Sequence, residues 1–355
     1  MPHNQTPLIF DGHNDVLLKL HLAGGVDAID TFATGREGDI DLPRAKISGF
    51  GGGFFAIFVR SQMDRAAKQK AMEHPSYDLP LPEPIPAENA LPVVMEQAAI
   101  LLEMQARGYV KICRSTKDIR TAFDDGTMAA IMHIEGAEAI DADLHALDVL
   151  YAAGLRSLGP VWSRPTIFGE GVPFRFPSTG DIGGGLSEAG KGLVRRCNQL
   201  GILIDLSHLN EAGFWDVAKI SNAPLVATHS NVHAISPHAR NLTDRQLEAI
   251  RASDGMVGLN FAVAFLREDG QARRDVPLET MLRHLDHLIK LLGEDRVGLG
   301  SDFDGAMIPD AIGDVAGLTD LRAAMRDHGY SDDLIRKLAH ENWLRVLDKT
   351  WGKQA

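Results

Sequence analysis

The apolar residues of this chain are gathered in eight short segments, most of them separated by stretches with the period of an α-helix. The apolar segments cover residues 8–10, 54–59, 128–134, 155–161, 202–206, 225–228, 256–260 and 297–300. Each is apolar throughout rather than at alternate positions, which is typical of parallel strands buried on both faces. Eight such strands alternating with helices predict an α/β fold of the (β/α)8 TIM barrel class. A doubly wound sheet would need a glycine-rich phosphate loop after its first strand, which is absent here.

The segments between the strands carry the start and stop signals of helices. Amphipathic stretches at residues 93–107, 143–153, 187–200 and 278–292 are each followed by glycine, which commonly ends a helix. Thr243 and Gln246 fit a capping box, and Ser331 precedes a last amphipathic stretch. We therefore expect residues 1–355 to form a single barrel domain with a Pro-rich, extended insertion at about residues 63–92. The insertion is either a surface loop or a wall of the active site or a subunit contact.

Composition and charge exclude several classes of partner. The 36 basic and 48 acidic side chains give a formal net charge of −12, which argues against nucleic acid and anionic membranes. No apolar run is long enough to predict a membrane span. The two cysteines, Cys113 and Cys197, lie far apart without CxxC spacing, and the N-terminus lacks a signal-peptide pattern. These features predict a reducing, cytoplasmic location.

Side chains that bind divalent metals follow five of the eight predicted strands. In chain order they are His13 and Asp15, Glu135, His208, His229 and Asp302. The active site of a (β/α)8 barrel lies at the carboxyl ends of its strands, so these side chains are expected to converge. A single histidine at a strand end is commonly structural, but five strand ends that each supply a ligand type predict a metal site.

The composition of this ligand set fits two metal ions. His13 and Asp15, two positions apart on an extended backbone, are expected on one face and would hold one ion. His208 and His229 would hold the other, and Glu135 has two oxygens with which it can bridge the pair. The set contains nitrogen and oxygen ligands and no thiolate, which suits zinc or a related divalent ion. Two such ions would clamp a shared hydroxide and polarise a carbonyl group.

One carboxylate is left over from this ligand set. Asp302 comes first after the eighth strand and is interpreted as the acid/base that passes a proton to a leaving amine. Asp304, two residues later, is the alternative proton carrier. A free carboxylate beside the metals predicts a hydrolase.

Six motifs spread from residue 11 to residue 305, and a closing helix, resemble one known family. They are Asp11-Gly-His-Asn-Asp15, Glu135-Gly136, Asp205-Leu-Ser-His208, Thr228-His-Ser230, Arg240-Asn-Leu-Thr-Asp244, Gly300-Ser-Asp-Phe-Asp-Gly305 and Glu341-Asn-Trp-Leu-Arg-Val346. As an ordered set they resemble the membrane dipeptidase (renal dipeptidase) family, peptidase family M19, in a bacterial-type form. The resemblance implies a barrel of the metal-dependent amidohydrolase type that carries two zinc ions, works as a homodimer, and cleaves dipeptides, including those with a C-terminal D-residue.

The resemblance also implies roles for single residues. It implies the division of metal ligands given above, with Glu135 as the bridge, and Asp302 as the acid/base. It further implies that Arg240 pairs with the C-terminal carboxylate of the dipeptide.

One position departs from the family pattern. The family commonly has a histidine at the end of strand four, thought to hold the substrate carbonyl oxygen, and Trp162 stands there. Indole offers one donor and no charge, so Trp162 is placed in the substrate site without a clear replacement for that histidine. His133 is a candidate, but we expect its side chain to point away from the face of Glu135. The alternatives are a catalytically weakened metal-binding relative, or a lactonase, deaminase or phosphotriesterase of the same fold. Those enzymes often bridge metals through a carboxylated lysine, and strand four has no lysine.

Overall fold

Eight parallel strands form the centre of the computed structural model, which describes residues 7–61 and 64–352. They are β1 Ile9–Asn14, β2 Phe50–Phe58, β3 Met128–Glu135, β4 Leu155–Gly159, β5 Leu203–Ile204, β6 Val226–Ala227, β7 Met256–Leu259 and β8 Val297–Leu299. Neighbours pair in the order β5-β4-β3-β2-β1-β8-β7-β6. A parallel bridge between Asp205 and Val226 joins the two ends of this order and closes the barrel. The prediction of a (β/α)8 barrel is confirmed.

Every barrel strand overlaps one of the eight predicted apolar segments, although the bounds differ. β1 continues beyond the apolar residues to Asn14, and β2 begins at Phe50, within the glycine-rich stretch. An additional strand, Val110–Ile112, pairs with β3 in parallel and was not predicted. A separate ribbon joins Tyr77–Asp78 and Arg175–Phe176 in antiparallel orientation.

Helices and helical turns surround the barrel. The α-helices are Val16–Leu22, Ile29–Thr34, Leu42–Ser48, Arg65–Ala71, Ala87–Ala106, Thr116–Asp125, His145–Ala153, Glu188–Leu200, Glu211–Ile220, Asp244–Ala252, Val263–Leu266, Leu278–Leu292, Leu318–Asp327, Asp332–Arg336 and Asn342–Trp351. The predicted capping box is present, since the Thr243 and Gln246 side chains each accept from the other's backbone N–H. Ser331 caps Asp332–Arg336 as expected. Over the described residues, no helix is both long and apolar enough to span a membrane.

The segment predicted as an extended insertion is partly helical. It contains the helix Arg65–Ala71, and the helix predicted from residue 93 already begins at Ala87, with Pro92 inside it. Pro92 is the sixth residue of this helix and has no N–H for the Glu88 carbonyl, so the helix lacks one backbone hydrogen bond near its start. Residues 79–86 therefore form the extended part, while residue 63 lies outside the described residues.

Side chains alternate between the inside and the outside of the barrel. Along β3, Ile131 belongs to the interior apolar cluster, and Ile134 joins the outer cluster that packs under the helices. Because residues two apart on a strand share a face, His133 and Glu135 follow Ile131 into the interior. The barrel is thus filled by apolar side chains, with polar ones above them towards the carboxyl ends of the strands.

Trp343, from the last helix, fills the apolar interior. Its side chain is fully buried, its indole N–H donates to the Leu299 carbonyl (3.0 Å), and its ring lies 5.1 Å from that of Phe54. A methyl group added at Gly12 or Gly258 would come within 2.5 or 3.0 Å of the Trp343 ring. Gly12 is therefore required by close packing, since a Cβ there would meet both the Thr228 carbonyl and this indole.

Replacing Trp343 by alanine should strongly destabilise the barrel. Removing a large buried aromatic side chain commonly costs about 3–5 kcal/mol, because it leaves a cavity that its neighbours fill only in part. We expect a lower denaturant midpoint for Trp343→Ala and a much smaller change for Trp215→Ala, whose ring is only partly buried. Equal midpoints for the two variants would contradict the role of Trp343 in the interior.

Candidate active site

Glu135, the last residue of β3, lies at the centre of the polar ends of the strands. Its Oε1 lies 3.1 Å from His208 Nε2 and 3.4 Å from His229 Nε2. Its Oε2 lies 3.8 Å from His13 Nε2, on the other side. The two oxygens of one buried carboxylate therefore face two different groups of potential ligands.

Hydroxyl groups orient the imidazoles of His208 and His229. His208 Nδ1 lies 3.0 Å from Ser163 Oγ, and His229 Nδ1 lies 2.9 Å from Thr228 Oγ1. Both Nε2 atoms consequently turn inwards, only 3.2 Å apart. His208 has a backbone φ of 68°, in the left-handed region that non-glycine residues rarely adopt. Such strain is common where a functional side chain must be held in one place.

His13 reaches the same point through an irregularity in β1. Phe10 belongs to the interior cluster, so strict alternation would place His13 outside. The pairing of β1 with β2 shifts between Asp11 and Asn14, however, and this re-aims the side chain inwards. His13 Nε2 lies 3.3 Å from Asp15 Oδ2, and neither ring nitrogen has a hydrogen-bond partner among the described residues.

Asp302 and Asp304 lie in different surroundings. Asp302 accepts a hydrogen bond from Asn260 Nδ2 (3.0 Å) and lines the cavity beside Asp15. Asp304 pairs with Arg36 and also accepts from the backbone N–H of Asp39 (2.8 Å). Asp304 therefore holds a neighbouring loop in place. Asp302, in contrast, has an oxygen close to the side chains of His13 and Asp15.

Burial dominates the protonation of these groups. It raises the pKa of Glu135 well above its ordinary value, against the opposing effect of His13, and it raises the pKa of Asp302 to about 6. For His13, burial acts to lower the pKa. The nearby carboxylates, Glu135 first among them, outweigh burial and raise the pKa to about 10. Burial holds the pKa values of His208 and His229 well below the ordinary range, so both imidazoles are neutral, as metal ligands must be.

These residues fit a divalent metal centre. Glu135, His208 and His229 offer ligand atoms within 4.8 Å of one another, and so do His13, Asp15 and Asp302. The first group is completely buried, and the unpaired nitrogens of His13 would cost free energy without a ligand. Both groups contain only nitrogen and oxygen donors, as predicted. Asp302, interpreted in the sequence as left over from the ligand set, therefore lies beside two of the potential ligands.

A cavity of about 450 Å³ opens above this centre. Glu135, His208 and Asp302 form part of its floor, and Trp162 lies in its wall. The Trp162 ring is 5.8 Å from the His208 ring, so it borders the centre. The helix Arg65–Ala71 also contributes to the wall, which agrees with the interpretation of the insertion as part of the active site.

Arg240 lies beside the site but does not line the cavity. Its guanidinium donates to Ser230 Oγ (2.8 Å) and to the His229 carbonyl (2.9 Å), while its buried Nε has no partner. It lies 5.8 Å from the ring of Phe265, which does line the cavity. Arg240 is near His229 as expected, with one donor still available.

The expectation for His133 was wrong. His133 and Glu135 are two apart on β3 and share the interior face, so His133 does not point away from the face of Glu135. Its Nδ1 lies 2.9 Å from Ser157 Oγ, and its ring is 5.5 Å from that of His13. Burial lowers the pKa of His133 to about 3. His133 is therefore a neutral side chain beneath the site and does not line the cavity.

Several supporting residues were missed in the sequence. Ser163, Thr228 and Asn260 orient the histidines and Asp302, and Asp205 accepts from both the N–H (2.8 Å) and the hydroxyl (2.5 Å) of Thr228. Asp205 was noted only as the start of a motif. The one available signal was position, since each of these residues follows a barrel strand.

Comparisons with known proteins agree with this centre. A family model described as membrane dipeptidase (peptidase family M19) matches residues 3–354. A protein of Klebsiella pneumoniae, described as an uncharacterized protein in the pqqA 5' region, is 48% identical over 265 residues, which cover 74% of this chain and 98% of that protein.

Two solved structures extend the comparison. A metallo peptidase from Rhodobacter sphaeroides, whose crystal structure holds a phosphinate mimic of the dipeptide L-Ala-D-Ala, is 57% identical, with a TM-score of 0.95 over 98% of this chain and 100% of that chain. An amidohydrolase from Pseudomonas aeruginosa is 20% identical, with a TM-score of 0.73 over 98% of this chain and 97% of that chain. The second likeness shows the fold alone.

Metal affinity should fall as the pH is lowered. The raised pKa values of Glu135 and His13 mean that the metal-free site holds protons at neutral pH, and a divalent ion must displace them. Each proton released makes the apparent Kd rise about tenfold per pH unit lost. Competition titrations with a chelator at several pH values measure this slope. Glu135→Gln should bind metal more weakly and with a smaller slope, and Asp304→Asn serves as the control. An affinity independent of pH would contradict this account.

Proposed function

Because this chain belongs to the membrane dipeptidase family, peptidase family M19, and is a metallodipeptidase that hydrolyses peptide bonds, we propose that it works with two zinc or related divalent ions and accepts dipeptides with a C-terminal D-residue. The observation that carries the proposal is the placement of the two Glu135 oxygens between the histidines. The phosphinate mimic of L-Ala-D-Ala in the Rhodobacter sphaeroides structure supports the preference for a D-residue.

We assign His13 and Asp15 to one ion, His208 and His229 to the other, and Glu135 to both. When bound, such a pair of ions supplies a hydroxide nucleophile at neutral pH and polarises the substrate carbonyl. Ser163 and Thr228 hold the histidine rings by their Nδ1 atoms, which leaves each Nε2 to act as ligand.

Asp302 is the proposed acid/base. Asn260 donates a hydrogen bond to its Oδ2, which holds the carboxylate beside His13 and Asp15. It takes up the proton that the nucleophile loses on attacking the carbonyl carbon and delivers that proton to the leaving amine. A raised pKa, about 6, suits a group that must accept and return a proton near neutrality.

Two substrate contacts are assigned, one to the cavity wall and one to Arg240, which lies beside the site near Phe265. The unpaired Nε of Arg240 is proposed to pair with the C-terminal carboxylate. Trp162 is proposed to contact the substrate beside His208 through its ring face. The rings of Phe58 and Phe174 lie 5.1 and 5.7 Å from that of Trp162, so this side of the site is largely aromatic.

We further infer that the barrel is one catalytic domain, since its ligands come from strands at both ends of the described chain. The homodimer and the cytoplasmic location expected from the sequence stay predictions. Light scattering of the purified protein tests the first.

Hydrolysis of a dipeptide library tests the function. Metal-loaded protein should cleave dipeptides with L- and D-residues in the second position, and metal analysis should give two ions per chain. Dipeptides with an amidated C-terminus should be poor substrates, and Arg240→Met should raise KM for free dipeptides, because losing a charged contact costs about 2–5 kcal/mol. Arg251→Met, at an exposed position of the helix Asp244–Ala252, is the control. Equal cleavage of free and amidated dipeptides would remove Arg240 from the carboxylate site.

The two carboxylates after β8 should respond differently to mutation. Asp302→Asn should retain bound metal but lower kcat by about 10²-fold or more, because the proton carrier is lost. Asp304→Asn should lower kcat much less, since Asp304 pairs with Arg36. Steady-state kinetics with parallel metal analysis measure both. Near-normal turnover of Asp302→Asn combined with an inactive Asp304→Asn would reverse the assignment.

A further inference from the structure

Lys68 lies in the cavity wall over two aromatic rings. Its Nζ is 3.2 Å from the centroid of the Phe174 ring and 5.3 Å from that of Trp162. The Trp162 ring in turn lies 5.8 Å from the ring of His208. The helix Arg65–Ala71 thereby places an ammonium group on the same wall as a proposed metal ligand.

The aromatic faces of Phe174 and Trp162 border the Lys68 ammonium. Contact with aromatic faces keeps the ammonium partly away from water, where its interaction with a negative charge is stronger.

The proposed reaction requires a donor on this wall. Attack on a peptide carbonyl turns its oxygen into an oxyanion, which hydrolases stabilise with a donor aimed at that atom. The cavity-lining residues with side-chain N–H or O–H donors, apart from His208, are Lys19, Arg60, Ser61, Lys68, Gln69, Trp162 and Arg274.

Three of these donors are less suited than Lys68. Ser61 already accepts from Arg164, Arg274 pairs with Asp310 (2.5 Å), and the indole of Trp162 is uncharged. Lys68 combines a full positive charge with a position against Trp162, next to His208.

We propose that Lys68 is a catalytic residue that donates a hydrogen bond from its ammonium to the carbonyl oxygen of the scissile peptide as that oxygen becomes negative. Lys68 keeps its proton and forms no covalent bond, so the proton transfers stay with Asp302. This inference rests on the proposed dipeptidase function and deepens it. It also gives the segment around residues 64–72 a function, since that segment supplies the donor that Trp162 does not.

Lys68→Met and Lys68→Arg, with Lys70→Met as a matched control on the exposed side of the same helix, test the proposal. In Lys68→Met, kcat for a neutral dipeptide should fall about 10²–10³-fold, as is typical for the loss of an oxyanion donor, while KM changes little. Affinity for a phosphinate dipeptide mimic, measured by calorimetry, should fall in parallel with kcat/KM, because its tetrahedral phosphorus resembles the attacked carbon. Lys68→Arg should recover part of both losses, and Lys70→Met should match the wild type.

Other outcomes separate this inference from its premise. A wild-type enzyme that cleaves no dipeptide would end the proposed function itself. If the wild type is active, unchanged kcat in Lys68→Met overturns the role of Lys68. A loss seen with free dipeptides but not with their C-terminal amides would also overturn it, since Lys68 would then bind the substrate carboxylate. A loss of bound metal in Lys68→Met would overturn it as well, in favour of a purely structural role.

Discussion

The burial of the Glu135 carboxylate is the constraint on which the rest of the site depends. A buried charge is costly unless it is compensated. The neighbours of Glu135 are imidazoles, and burial keeps two of them, His208 and His229, uncharged. The arrangement is stable as a set of ionised and neutral ligands only with cations bound between them. An outer layer of hydrogen bonds fixes the orientation of these ligands. It consists of the hydroxyls of Ser163 and Thr228 and the carboxylate of Asp205.

Much of this architecture was predictable from the chain because a barrel concentrates chemistry at one end of each strand. The apolar segments marked the strands, and the next one to three residues gave His13, Glu135, His208, His229 and Asp302. A pattern of this kind needs only local sequence and the rule that parallel strands end on one side.

The remaining features depend on contacts between distant parts of the chain. The inward position of His13 arises from an irregularity in the pairing of β1 with β2, which the apolar pattern does not encode. Asn260 is an ordinary loop residue until Asp302 is placed beside it, and Lys68 gains significance only when its helix folds against Phe174. The face of His133, in contrast, was predictable from alternation along β3.

The insertion of Trp343 between the strands has a consequence for how the protein is made. β1 pairs with β8, and the indole that fills the interior comes from the last helix, so contacts of very long sequence separation must form before the barrel can close. Such topologies fold slowly, and their partly folded forms expose strand edges that favour aggregation. During synthesis the first metal ligands leave the ribosome long before the residues that support them. We therefore expect the chain to acquire its metals only after Trp343 has docked in the barrel interior.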